Sequence, residues 1–201
     1  MALFYLQEIR QVQARGPYYF AGWSMGGLIA LEAAGQLRAA GEDVALVALL
    51  DTYLSDGDAV SHEIDEHSVI HWLAPQLDLS LETLSRLPPA EQWRQIAERA
   101  NLAEGIEAAE IRRMAVVCQA HFTAFAAYRP RPYPGPAVLL SAGDAGELDA
   151  RWRSLCPRLR AETVPGNHYS MLRRPHVDVL AARLSGFLGE SNMPPGTGRN
   201  P

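Results

Sequence analysis

The chain contains no lysine, and all 18 of its basic residues are arginine. This absence excludes a Schiff-base mechanism and a Walker-type phosphate-binding loop, because both need a lysine amine. Cysteine is scarce as well, since only Cys118 and Cys156 occur and they are too far apart to form a CxxC pair. We therefore expect two reduced thiols packed in the protein and no disulfide framework.

The sequence also lacks a long apolar run. No stretch approaches the roughly 18 residues that a transmembrane helix needs, and no signal-peptide pattern opens the chain. The formal net charge is −5, so the chain lacks the excess of positive charge that is typical of nucleic-acid-binding proteins. What is present, 201 residues of which 48% are hydrophobic, suits one globular domain with a sizeable core. We expect a cytoplasmic protein without a membrane or nucleic-acid partner.

The first quarter of the chain alternates between helical and extended patterns. Residues 2–14 place apolar side chains at roughly helical spacing, 18–22 form a short β-prone run, and 27–39 predict a second helix. Residues 44–51 contain an unbroken apolar run, which is typical of a strand buried on both faces of a parallel sheet. A strand, a helix and a strand in this order predict a βαβ unit and an α/β fold.

The middle of the chain, about 55–128, changes to helical patterns and predicts an insertion. Its predicted helices are 67–73, 81–87, 90–100 and 107–128. A proline-rich hinge at 128–136 follows the insertion.

The last third of the chain returns to the α/β pattern. We expect strands at 137–142 and 160–164, and a closing helix at 175–188. Residues 190–201 have a composition that cannot bury apolar surface, so they predict a disordered tail.

A serine stands between two glycines where the first predicted strand meets the following helix. In "FAGWSMGG", Gly22, Ser24 and Gly26 form the G-x-S-x-G pattern of a nucleophile elbow, a turn so tight that both glycine positions can hardly carry a Cβ. Such a turn lifts the serine hydroxyl clear of the sheet and leaves the Met25 amide at the helix N-terminus to donate to an oxyanion. The alternative is a glycine-rich bend without a chemical role.

His168 is the candidate base for this serine. A serine nucleophile needs a base and the base needs an orienting acid, and in this type of fold the chain order is Ser, acid, His, each at the carboxyl end of a strand. His168 lies in "VPGNHYSML", a turn after the last predicted strand, whereas His121 and His176 fall within predicted helices. The alternative is a loop histidine of no consequence.

Two aspartates compete for the role of the orienting acid. Asp51 ends an apolar strand, beside the strand that leads to Ser24, and we favour it for that position. Asp144 in "LLSAGDAGELD" also follows a predicted strand. The alternative interpretation is that Asp144 is only a turn residue in Gly-Asp-Ala-Gly, without a catalytic role. The residues alone leave both aspartates open.

Three histidines, His62, His67 and His71, lie close together in "SHEIDEHSVIHW". Two of them are four residues apart and could share a metal ion, but the HExxH pattern is absent and the neighbouring acids suit a solvated helix face. We expect no metal site and no cofactor of the protein's own.

Four segments that carry these residues resemble, in the same order, the thioesterase domains that end nonribosomal peptide and polyketide synthases. The segments are "GPYYFAGWSMGGLIALEAAGQL", "VALLDTYL", "YRPRPYPGPAVLL" and "VPGNHYSML", within about 1–189. The resemblance implies an α/β-hydrolase-like parallel sheet with a helical lid at about 55–128. It also implies an N-terminal truncation, because the family's early strands, and a loop with a second oxyanion amide, precede the residues present here.

The function that the resemblance implies is acyl transfer with an acyl or peptidyl carrier protein as partner. Ser24, with His168 as base and Asp51 as orienting acid, is expected to release an acyl, peptidyl or polyketide chain from the carrier's phosphopantetheine thioester by hydrolysis or cyclisation. One alternative is a stand-alone editing thioesterase that clears misacylated carriers, which an acid at Asp144 would indicate. Another is an inactive truncated fragment or docking module, and a hydrolase of small free esters fits less well.

Overall fold

The computed structural model describes residues 1–55, 65–99, 108–143 and 146–191. The chain divides into two compact units. Unit 1 consists of Met1–Leu54 and Pro130–Pro201, and unit 2 is Ser55–Arg129.

Helices and strands occupy most of the described residues. The helices are α1 (Ala2–Val12), α2 (Met25–Ala39), α3 (Glu66–Gln76), α4 (Leu81–Ser85), α5 (Pro89–Arg99), α6 (Ala108–Ala127), α7 (Gly146–Leu155) and α8 (His176–Ser191). The strands are β1 (Tyr18–Trp23), β2 (Val44–Leu50), β3 (Ala137–Ala142) and β4 (Leu159–Val164). Among the described residues, none of these helices is both long and apolar enough to cross a lipid bilayer.

The four strands of unit 1 form a parallel sheet in the order β1-β2-β3-β4. β1 pairs with β2 so that Gly22 lies opposite Leu49, and β2 pairs with β3 so that Leu50 lies opposite Leu140. All of β2 except the half-buried Ala45 is buried, because it has a strand on each side and both α2 and α8 pack against it. The predicted α/β class and parallel sheet are confirmed.

Alternate strand residues build the core of unit 1 on the side of the sheet that α8 covers. This cluster consists of Leu46, Ala48, Leu50, Val138, Leu140, Val164, Met171, Leu180 and Phe187. Because successive side chains of a strand point to opposite faces, the fully buried Val47 and Leu49 face the other side of the sheet. Full burial of one such side chain contributes about 1.5–3 kcal/mol. This packing holds the carboxyl ends of the strands in place.

The described part of unit 2 is built of helices α3 to α6. Its buried side chains are apolar and include Val69, Leu84, Trp93 and Ile96. Its ion pairs reach solvent, and most join residues three or four apart on one helix, as on α5, where Arg94 pairs with Glu91 and Glu98. Unit 2 therefore depends on an apolar core, and the predicted role of this segment as a lid stays a prediction.

Two helices of unit 1 differ from the sequence prediction. The sequence did not predict α7, because Gly-Asp-Ala-Gly indicates a turn. Trp152 of this helix is fully buried, and its indole donates to Thr52 O (2.9 Å). α8 continues through Ser191, into the segment predicted to be disordered, and the Ser191 hydroxyl donates to Phe187 O (2.8 Å). The rest of that segment, 192–201, lies outside the described residues.

Candidate active site

Ser24 occupies the turn between β1 and α2. Its φ of 56° and ψ of −130° lie outside the regions that a residue with a side chain ordinarily adopts, which is typical of a nucleophile elbow. Two backbone hydrogen bonds hold the turn: the Ser24 amide donates to Leu50 O (2.9 Å), and the Gly27 amide donates to Ser24 O (3.1 Å). The side chain of Ser24 therefore stands at the carboxyl end of β1 and the N-terminus of α2.

Only one of the two glycines in the G-x-S-x-G pattern is sterically required. A Cβ on Gly22 would overlap the backbone carbon and oxygen of Gly26. A Cβ on Gly26 would meet nothing within 4 Å, so the prediction that both positions must lack a side chain is wrong for Gly26. The second crowded position is Gly27, where a Cβ would overlap the Thr52 side chain. The tightness of the turn thus comes from Gly22, and the close approach of α2 to the end of β2 comes from Gly27.

Asp51 follows β2 directly and is only 1% exposed. Its amide donates to Leu140 O (2.8 Å), so pairing with β3 continues as far as this residue. Its Oδ1 accepts a hydrogen bond from the Ala142 amide (2.8 Å), and its Oδ2 accepts one from the Tyr53 hydroxyl (3.1 Å). A buried carboxylate without donors is costly, and here the neighbouring strand supplies one of them.

His168 lies in the loop after β4, and its Nδ1 is 2.7 Å from Asp51 Oδ2. The side chain is 5% exposed, so the contact is shielded from water. An ionised carboxylate only accepts, so when Asp51 is ionised and His168 is neutral, the proton of this hydrogen bond is on Nδ1 and Nε2 carries the lone pair. This is the arrangement of a general base with the acid that orients it.

Trp23, the residue before Ser24, connects the elbow with the loop that carries His168. Its ring stacks on the imidazole with centroids 4.7 Å apart, and its Nε1 donates to His168 O (2.9 Å). The loop is also held by Asn167, whose side-chain oxygen accepts the Ser170 amide (2.8 Å). The serine and the histidine–aspartate pair therefore lie at the same edge of the sheet.

The remaining candidate residues lie in different parts of the structure. Met25 is the first residue of α2, so its amide is one of the four at a helix N-terminus that have no acceptor within the helix. Asp144, the rival acid, lies outside the described residues. The rings of His67 and His71 on α3 are 5.8 Å apart, and the described part of the chain holds no group of three or more His, Cys, Asp or Glu suited to a metal ion.

The two cysteines form no disulfide. Burial raises the pKa of Cys156 to about 11, and it also raises the pKa of the half-buried Cys118. Cys156 is buried, in agreement with the expectation of packed thiols, whereas Cys118 is only half-buried. Neither supplies the thiolate that a nucleophile or a metal ligand needs.

Almost the whole chain matches the model of one known family. The thioesterase domain model matches residues 1–188. This chain belongs to the thioesterase domain family.

Curated relatives of this thioesterase domain are much longer synthases. The conidial pigment polyketide synthase PfmaE of Pestalotiopsis fici is 28% identical over an alignment 214 residues long. This alignment covers 94% of this chain and 9% of that protein. The non-reducing polyketide synthase PKS1 of Zymoseptoria tritici is 30% identical over 200 residues, which cover 89% of this chain and 8% of that protein. The thioesterase domain described here therefore spans less than a tenth of the length of these two relatives.

Solved structures of a nonribosomal peptide synthetase and of a thioesterase domain share its fold. A four-domain nonribosomal peptide synthetase bound to AMP and glycine gives a TM-score of 0.75 at 25% identity, covering 96% of this chain and 16% of that one. The NocB thioesterase domain in covalent complex with a fluorophosphonate nocardicin G analogue gives a TM-score of 0.64 at 26% identity. The match covers 94% of this chain and 73% of that one. These neighbours confirm the predicted resemblance and the α/β-hydrolase-like fold.

The sequence analysis missed two side chains of this candidate site, Trp23 and Tyr53. Both are aromatic residues within two positions of a predicted site residue, Ser24 or Asp51. That proximity in the sequence is the signal by which they could have been predicted. Burial, followed by the charge and the hydrogen bond of Asp51, raises the pKa of Tyr53 to about 12. Tyr53 therefore stays protonated and remains a hydrogen-bond donor to the acid.

Proposed function

We propose that this thioesterase domain releases an acyl, peptidyl or polyketide chain from the phosphopantetheine thioester of a carrier protein through an acyl-serine intermediate. The observation that supports the proposal most is the buried contact of His168 Nδ1 with Asp51 Oδ2 (2.7 Å), at the sheet edge where Ser24 follows β1. The fold alone hosts many reactions, so the chemistry of this site carries the argument. The two curated relatives described above, which are polyketide synthases, support a carrier protein as the partner.

Each proposed catalytic residue moves or stabilises one charge. The Ser24 hydroxyl attacks the thioester carbonyl while His168 Nε2 takes its proton, the Met25 amide donates to the oxyanion, and Asp51 stays ionised beside the imidazolium. When the C–S bond breaks, His168 gives the proton to the departing phosphopantetheine thiolate and the chain remains on Ser24 as an ester. Water, or an amine or hydroxyl of the chain, then attacks the ester, and its proton passes through His168 to Ser24. These steps need no cofactor beyond the carrier's own phosphopantetheine.

The proposed nucleophile is tested with a fluorophosphonate probe and peptide mapping by mass spectrometry. We expect the label on Ser24, and we expect Ser24→Ala to lose both the label and the turnover of an acyl-thioester. Ser154→Ala is the matched control, because it removes an exposed serine hydroxyl on α7 and should keep both. Labelling that persists at full extent in Ser24→Ala would remove Ser24 from the mechanism.

The proposed partner is tested by presenting one acyl group in two forms. An acyl chain on a carrier protein should give a higher kcat/KM than the same chain on N-acetylcysteamine, because the carrier adds binding energy remote from the reacting bond. Equal values for the two substrates would argue against a carrier partner while leaving thioester chemistry intact.

A further inference from the structure

One oxygen of the Asp51 carboxylate has two partners. Oδ2 lies 2.7 Å from His168 Nδ1 and also accepts the Tyr53 hydroxyl at 3.1 Å, whereas Oδ1 accepts the Ala142 amide at 2.8 Å. The Tyr53 ring centroid is 5.8 Å from that of His168. The tyrosine hydroxyl and the imidazole therefore share the negative charge of a single carboxylate oxygen.

We propose that Tyr53 is a positioning residue that lowers the basicity of His168 by competing with it for Asp51 Oδ2, a role that rests on the function proposed above. A hydrogen bond to a charged carboxylate stabilises its negative charge, so less of that charge is available to stabilise the imidazolium. His168 is then neutral at a lower pH. The neutral form is the one that takes the proton from Ser24.

Tyr53 exerts this effect over the whole working range of pH. Burial and the neighbouring Asp51 raise the pKa of its hydroxyl to about 12. A phenol with such a pKa keeps its proton under all ordinary assay conditions. The competition for Oδ2 therefore does not disappear through the titration of Tyr53 itself.

The other described groups around His168 make contacts of a different kind. In the described part of the chain, the titratable groups that contact His168 or its loop include Asp51 and Tyr53 after β2, Tyr169 in the loop, and His176 of α8. Arg174, near the end of the loop, is exposed and faces Asp178 at 3.8 Å. Tyr169 meets the imidazole with its ring at 5.1 Å, and His176 Nδ1 lies 3.3 Å from a backbone oxygen of the loop. The indole that stacks on the imidazole carries no titratable group, and its π face favours the imidazolium. Of these side chains, Tyr53 is the one that donates to Asp51 Oδ2 beside the base, whereas the Ala142 amide donates to Oδ1.

The test is a titration of His168 in Tyr53→Phe, which removes the hydroxyl and keeps the ring. Histidine labelled with ¹³C at Cε1 gives the pKa of His168 by NMR, and the signal is assigned by its absence in His168→Gln. We expect this pKa to rise by about 0.5–1 unit, because Asp51 regains the charge that Tyr53 had engaged. The acid limb of kcat/KM for an acyl-thioester should move to higher pH by the same amount.

Tyr18→Phe is the matched control, because it removes a buried tyrosine hydroxyl of unit 1 that donates to Gln13 O (2.9 Å). It should leave the pKa of His168 unchanged. An unchanged or lowered pKa in Tyr53→Phe overturns the proposal, and so does an equal rise in Tyr18→Phe. A lower melting temperature with an unshifted titration also overturns it, because Tyr53 would then be merely structural. The titration needs no turnover, so it decides the role of Tyr53 even where Ser24→Ala shows that the proposed function is wrong.

Discussion

Units 1 and 2 bury different kinds of side chain. In unit 1 the described residues include four buried polar ones, each at or just after the carboxyl end of a strand: Asp51, Thr52, Ser141 and His168. The buried residues described in unit 2 are apolar, and its ion pairs, such as Arg94 with Glu98 (2.5 Å), are exposed. Burial of a polar group is unfavourable unless it finds partners. The comparison shows that polar burial, rather than secondary structure, distinguishes the candidate site from the rest of the fold.

The largest expected effect follows from removing the charge of Asp51, whose side chain is 1% exposed. Asp51→Asn keeps the size of the side chain, but its amide does not stabilise the imidazolium or the tautomer of His168. We expect kcat for an acyl-thioester to fall by about 10⁴-fold, as when the orienting acid of a serine protease triad is changed to Asn. Asp144→Asn should change kcat little. The reverse ranking of the two variants would assign the acid to Asp144 and favour the editing type of thioesterase.

The second effect tests whether the apolar core of unit 2 unfolds independently of the sheet of unit 1. Trp93 is 4% exposed, and Trp93→Ala should lower the free energy of unfolding of unit 2 by about 3–5 kcal/mol. Hydrogen exchange should accelerate in α3, α5 and α6, while the amides of β1 to β4 keep their protection. Val116→Ala, at a position 63% exposed on α6, serves as the control and should change neither. Equal loss of protection in the strands would mean that the two units unfold together.

A smaller effect separates the two glycines of the elbow. Gly22→Ala places a Cβ against the Gly26 backbone and should cost about 1–3 kcal/mol of stability as the turn opens. Gly26→Ala meets open space and should not destabilise the protein. Thermal unfolding and fluorophosphonate labelling of both variants check this difference. Equal destabilisation would restore the prediction that both glycines are sterically required.

The smallest effect concerns the exposed charges of unit 2. Arg94→Ala removes two ion pairs on α5, but both partners are solvated, so we expect no measurable change in Tm. Thermal unfolding at low and at high salt is the measurement. A clear, salt-dependent fall in Tm would show that surface charge contributes to unit 2 and would weaken the contrast with unit 1.

The sequence predicted most of the sheet because periodicity is a local property that each strand carries by itself. It also predicted the meeting of Asp51 and His168, since parallel strands end at one edge of a sheet wherever they stand in the chain. It did not predict the free space at Gly26 or the hydroxyl of Tyr53 on Asp51. Those depend on small distances between atoms of different elements, which no local pattern contains. α7 was missed for the same reason, because the contact of Trp152 with Thr52, just after β2, joins elements far apart in the chain.

β2 and β3 are neighbours in the sheet, although the whole of unit 2 lies between them in the chain. The entropy lost on closing a flexible loop grows only with the logarithm of its length, so doubling the loop adds about 0.6 kcal/mol. An insertion at this crossover can therefore lengthen, shorten or be replaced over evolution, provided that it folds by itself, with little change in the free energy of the sheet. The register that sets Leu50 opposite Leu140, and with it the place of Asp51, would persist. The crossover is thus a point where lineages can exchange whole insertions and retain the same chemistry.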